Sequence, residues 1–181
     1  ESGIIDGDLV EVLDPRGRRL GTAFYNESTS LTLRMVRFDD GPVDEALIRA
    51  RLDAALARRA AHPDWPDSNA RRLCFSEGDN LPGLIIDGYC DAAAVQYLCP
   101  GMLRFSPVVN DWLVTTSRMQ VIVERSNRGA GMVKDAAPVD AIVHGGGDGM
   151  VTVMEHGVLY QINLLQGQKT GYFISQRENR A

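Results

Sequence analysis

The chain has 181 residues, 44% of them hydrophobic and 24% charged, with a formal net charge of -5. This is an ordinary globular composition, enough for one large or two small domains. It holds no apolar run near the roughly 20 residues of a membrane span, and no cationic leader ahead of an apolar stretch marks a secretory signal. The acidic balance runs against a nucleic-acid binder, whose footprint is normally basic. Cys74, Cys90 and Cys99 form no C-x-x-C pair, and His62, His144 and His156 are scattered. Neither a disulfide framework nor a metal site is therefore expected, and a reducing, cytoplasmic compartment fits best.

Leu9–Leu13 alternates roughly and ends at Asp14-Pro15-Arg16-Gly17, a turn with Pro presetting φ and Gly at its close. Gly21–Tyr25 and Leu31–Val36 supply two further strands around a polar loop. Three short strands make a thin core and read as the second half of a small β-barrel. Arg16, Arg18 and Arg19 at the turn either meet phosphates or form a solvated hairpin tip. From Val43 to about Ala61 the pattern becomes helical, with Leu47, Ile48, Leu52, Ala55 and Leu56 on one face. Asp44 and Glu45 stand in its first turn and Arg58 and Arg59 in its last, complementing the helix dipole.

The middle of the chain alternates strand and helix. Arg72–Phe75 and Gly83–Asp87 are strands, and Asp91–Leu98 is a third, apolar on both faces and so central. A helix is predicted from about Met102 to Thr116, with Pro107 early enough to be tolerated. Gln120–Glu124 is a fourth strand. The run His144–Gly149 reads as a glycine-rich loop. Met150–Met154 and Val158–Leu164 then pair as a hairpin about Glu155-His156-Gly157. The cysteines fall in or beside strands, where a buried, inert thiol is expected.

The last stretch, Gln166-Gly167-Gln168-Lys169-Thr170-Gly171-Tyr172-Phe173, is a glycine-bracketed polar turn running into two aromatics. A P-loop is excluded, because Gln168 separates Gly167 from Lys169 and Ile162 stands where the loop's first glycine belongs. Gly171 is expected to take a backbone angle that a side chain forbids. With the chain ending at Ala181, this stretch is expected to lack a surface to pack on and to fray.

Three motifs in order carry a resemblance over nearly the whole chain: Glu77-Gly78-Asp79-Asn80-Leu81-Pro82-Gly83-Leu84, Glu124-Arg125-Ser126 and the terminal Gln166–Arg180 run. The chain resembles the RlmI-like family of large-subunit ribosomal RNA 5-methylcytosine methyltransferases. It departs from that family at Asp87-Gly88-Tyr89, where Asp-Arg-aromatic is usual, and at Gly131-Met132, where a basic pair is usual. Both departures remove positive charge.

The resemblance implies an α+β chain. Residues 1–41 would be the C-terminal part of a PUA-like β domain, and 42–68 a connecting helix and linker. Residues 69–165 would form a small mixed α/β domain, one main helix on a sheet, with a terminal hairpin; 166–181 would be the lead-in to a Rossmann-like methyltransferase domain absent from this chain. It implies S-adenosylmethionine as the parent protein's cofactor and ribosomal RNA as its partner, with a homodimer left open and no membrane. Catalytic cysteines would lie in the absent domain, so no catalytic residue is expected here. Lys169, Thr170, Gly171, Tyr172, Phe173, Gln176 and Arg177 would border the cofactor, and Arg16, Arg18, Arg19 and Arg128 would meet RNA. The chain alone is expected to bind no cofactor measurably and RNA only weakly. A free-standing RNA-binding or scaffold module without catalysis is the alternative.

Overall fold

The computed structural model describes residues 3–27, 31–61, 68–125 and 140–180. Strands β1 (Leu9–Leu13), β2 (Arg19–Tyr25) and β3 (Leu33–Arg37) form an antiparallel meander. Its first turn is held by Asp14, whose carboxylate accepts the backbone N–H of Arg16 and of Arg18 at 2.8 and 2.9 Å. Helix α1 (Glu45–Ala60) follows, with the Asp44 side chain capping it through Leu47 N–H. Ile48, Leu52 and Ala55 bury its apolar stripe.

The central sheet has the order β4-β5-β6-β7-β8, formed by Ala70–Phe75, Leu84–Tyr89, Ala92–Tyr97, Val121–Arg125 and Asp140–His144. Its neighbours are antiparallel except β6 and β7, which are parallel. That one parallel pair needs a crossover, supplied by α2 (Pro100–Leu103) and α3 (Ser106–Thr115). The single helix predicted from Met102 to Thr116 is thus two helices. Pro107 cannot donate within a helix interior, so α3 restarts at Ser106 after Phe105 leaves helical geometry at φ -93 and ψ 8. Strand β8 is the other difference. Its five residues abut the glycine run, and no strand is predicted there.

Strand β6 is buried on both faces, as its alternation-free sequence requires. On one face Ala93 and Val95 join Phe24, Leu52, Ile86, Trp112 and Leu113 in a core under the first sheet, α1 and α3. The Trp112 indole N–H donates to Asp53 at 2.7 Å and pins α3 to α1. On the other face Ala92 and Ala94 meet Val153, Ile162 and Leu164. These come from the hairpin β9 (Met150–Glu155) and β10 (Val158–Asn163) and from the segment after it. Tyr172 and Ile174 pack on that same cluster. The expectation that the terminal stretch lacks a packing surface is corrected: the hairpin and the second sheet face provide one.

Candidate functional site

The loop Glu77–Gly83 is a joint. Glu77 pairs with Arg34 of β3 at 2.5 Å. Asp79, buried, takes both outer nitrogens of Arg59 at 2.8 and 2.6 Å and the Phe75 N–H at 2.6 Å. Burial raises the Asp79 pKa, but the Arg59 and Phe75 hydrogen bonds outweigh it and hold the carboxyl below its usual range. One loop therefore ties the first sheet, α1 and the central sheet together.

Arg125, of the second motif, reaches the terminal turn. Asn163 starts it: its side-chain oxygen accepts Leu165 and Gln166 N–H at 2.9 and 2.8 Å, and its carbonyl accepts Gly167 N–H at 2.8 Å. A Cβ on Gly167 would lie 2.6 Å from the Asn163 carbonyl oxygen and 2.7 Å from the Gly171 Cα. Gly171 itself has φ +113, and a Cβ there would meet Leu164 Cδ2 at 2.9 Å. The turn closes only because both are glycine. From beneath, Arg125 donates to the carbonyls of Leu164 and Gly167 and to Asp140. Thr170 is 2% exposed; its hydroxyl donates to Asp87 at 2.6 Å and so accepts from the Tyr89 hydroxyl at 2.9 Å. Asp87 also receives Arg72 through two nitrogens, at 2.7 and 3.0 Å.

Beside this turn lies a cleft of about 370 Å³, walled by Arg72, Lys169, Tyr172, Phe173 and Ile174. Lys169 adopts φ +54, uncommon for a side chain of its length, and its Nζ stands 5.9 Å from the Phe173 ring centroid. Tyr172 packs on Tyr160 at 5.8 Å between centroids and carries the Arg180 guanidinium 4.3 Å above its ring. Burial pushes the Tyr172 hydroxyl up to about 12, so it is neutral at physiological pH. Arg180 in turn binds Glu155 through two nitrogens at 2.8 and 3.1 Å and the Phe173 carbonyl at 2.9 Å. The arrangement offers a cation and an aromatic face to a ligand with an anionic group and a flat ring.

Lys169, Tyr172 and Phe173 are brought together at this cleft. Thr170, expected to border the cofactor, lines the cleft but turns its hydroxyl inward to Asp87. Gly171 supports the turn through its backbone. Gln176 and Arg177 lie in the 3-10 segment Ile174–Arg180, which kinks at Gln176, outside the described lining; Gln176 is exposed and Arg177 approaches His156 at 3.4 Å. Sequence reasoning missed Arg72 and Arg180. Arg72 alternates with buried Leu73 in a strand, which placed it on the opposite sheet face, where the terminal turn docks. Arg180 gave no comparable signal.

Among the arginines assigned to RNA, Arg16 is exposed, but Arg18 pairs with Asp14 at 2.7 Å and Arg19 with Glu11 and Asp40, both at 2.8 Å. Two of the three are thus neutralised locally. Arg128 lies outside the described residues. Cys74 and Cys99 are buried, and burial pushes the Cys74 thiol up to about 12. Cys90 is a correction: it is exposed, at φ +58 in the tight turn between β5 and β6.

Known proteins fit this geometry in two stages. The class comes first: a family model described as a PUA-like domain matches residues 1–38. Two solved structures superpose on 97% of the chain with a TM-score of 0.80 at 18% identity, which shows the fold. One is a candidate SAM-dependent methyltransferase from Streptococcus mutans, the other a candidate methyltransferase complexed with SAH; the chain covers 45% and 44% of them. More specifically, Ribosomal RNA large subunit methyltransferase I of Alteromonas mediterranea is 34% identical over 97% of this chain and 44% of its own length. The Deinococcus radiodurans Ribosomal RNA large subunit methyltransferase is 32% identical over 96% of this chain and 45% of its own. The resemblance to the RlmI-like methyltransferases thus holds along nearly the whole chain, which spans less than half the length of the curated relatives it matches.

Proposed function

We propose that this chain is the PUA-like and central portion of a SAM-dependent methyltransferase acting on a cytosine of large-subunit ribosomal RNA, and that its terminal turn forms one wall of the cofactor site. The observation that carries this reading is the cleft itself: Lys169 and the Phe173 and Tyr172 rings meet at one opening, beside the motif that carries the family resemblance. The residues fit S-adenosylmethionine, which bears a carboxylate and a flat adenine. Lys169 would hold the carboxylate by charge, and the exposed Phe173 would give the base an apolar face. The Tyr172 hydroxyl stays protonated there and adds no competing charge. When bound, the cofactor supplies an electrophilic methyl group. Within this chain, Arg72 and Asp87 keep the wall rigid, and Thr170 anchors it rather than touching the ligand. Gln176 and Arg177 would act only from the rim. Ribosomal RNA would run past the first sheet, with Arg16 the one arginine of that turn with a free guanidinium among the described residues.

The test is calorimetric titration of S-adenosylhomocysteine into the full-length protein and into this chain. Micromolar binding by the full-length protein, weakened about tenfold or more by Lys169→Ala or Phe173→Ala as expected for a lost charged or stacking contact, supports the reading. Unchanged affinity in both variants would remove the turn from the cofactor site.

A further inference from the structure

We propose that Arg125 is a positioning residue: from inside the protein its guanidinium sets the turn that delivers Lys169 to the cleft, so that ligand binding depends on a side chain no ligand touches. The inference rests on the cofactor reading above for the identity of the ligand, but not for the clamp.

Arg125 closes β7, and its side chain is 1% exposed. An arginine is almost never that buried unless paired, and its described carboxylate partner is Asp140, at 3.1 Å. One ion pair would satisfy the charge and leave the outer nitrogens free to point anywhere. Instead they donate to two main-chain carbonyls three residues apart, Leu164 and Gly167, the latter at 3.0 Å. The fork therefore grips the beginning and the end of the bend that Asn163 starts. A guanidinium holds its donors at a fixed spacing in one plane; an ammonium is a point charge and cannot dictate where two carbonyls stand.

The grip matters because of what lies downstream. Lys169 follows Gly167 by two residues and sits at φ +54, a conformation that persists only where the surroundings over-determine it. Thr170, the next residue, is fixed to Asp87 on β5. Lys169 thus stands between two anchors, Arg125 acting through Gly167 and Asp87 acting through Thr170, and its side chain is left to project over Phe173. Release of the first anchor lets the turn relax and re-aims Lys169.

The experiment uses the full-length protein, wild type and Arg125→Lys, which keeps the charge and discards the fork. Amide hydrogen exchange is read at Gly167 and Gly171, whose N–H groups bond Asn163 and Gln168, and at Ile122 and Val123 in β7. The expected result is exchange about tenfold or more faster at the two glycines, with the β7 amides changed by less than about twofold, as for a local opening. S-adenosylhomocysteine affinity should fall in parallel, by about fivefold or more. Asp140→Asn, which leaves the fork but removes its charge partner, should loosen the same amides less. Uniform acceleration across the sheet would make Arg125 a core ion-pair member and overturn the proposal. So would unchanged protection at the glycines, or a loosened turn with unchanged affinity. A wild-type protein that binds no S-adenosylhomocysteine sinks the cofactor reading alone, and the exchange pattern still decides the clamp.

Discussion

The two faces of the central sheet are held by different physics. The face under the first sheet, α1 and α3 is an apolar interlock of Phe24, Leu52, Ile86, Trp112 and Leu113, with polar pairs such as Asp79–Arg59 at its margin. The face under the hairpin and the terminal turn is a smaller apolar cluster threaded by buried polar groups: Arg125, Asp87, Thr170 and Glu155. Apolar packing is non-directional and supplies stability. Satisfied buried hydrogen bonds add little net stability, but they fix geometry. The first face makes the domain; the second aims a loop.

Perturbing the first face should therefore cost the most and act globally. Trp112→Ala removes a 1% exposed indole and should destabilise the chain by roughly 3–5 kcal/mol. All amides should lose protection together in a denaturant series, and a selective loss at the cleft would contradict the division of labour. On the second face, Gly171→Ala forces a Cβ onto φ +113 and towards Leu164. The expected cost is about 1–3 kcal/mol, visible as a lower melting temperature in this chain as well as in the full-length protein. An unchanged melting temperature would mean that the turn is not docked.

The smallest effect concerns the joint between α1 and the central sheet. Asp79 has a folded-state pKa below its unfolded value, held there against burial by Arg59 and Phe75 N–H. Its contribution is therefore present above the unfolded value and lost as pH falls through the folded one, that is, below about pH 4. Asp79→Asn should cost about 1–2 kcal/mol at neutral pH and flatten the acid limb of a urea-midpoint profile. An equally steep acid limb in the variant would assign that limb to other carboxylates.

Much of this architecture was legible in the sequence, because periodicity reports burial. The stripe of Ile48, Leu52 and Ala55 gave α1, and the unbroken apolar run of Ala92–Val95 gave a central strand. Pro107 was seen, but its consequence, a helix that must restart, was not. Strand β8 has only five residues beside a glycine run and carries too little pattern to compete with it. At the candidate site, the glycines, Lys169 and the aromatics were legible as a polar turn running into two rings. The inward course of Thr170 was not, because it depends on Asp87 and Tyr89, more than 80 residues away. Arg125 was likewise visible as a motif letter but not as a clamp, since its carbonyl partners lie 39 and 42 residues further on. Local pattern names residues, whereas long-range pairing assigns their work.

The claim on which both the cleft and the clamp depend is that the terminal turn is docked on the second sheet face. The most direct measurement is a two-dimensional NOE spectrum of the 181-residue chain. Cross-peaks between the rings of Tyr172 and Tyr160, 5.8 Å apart at their centroids, and between the Thr170 and Tyr89 side chains are expected. Sharp, random-coil resonances for Tyr172 without a cross-peak to either strand would contradict the docked turn and the cleft built on it.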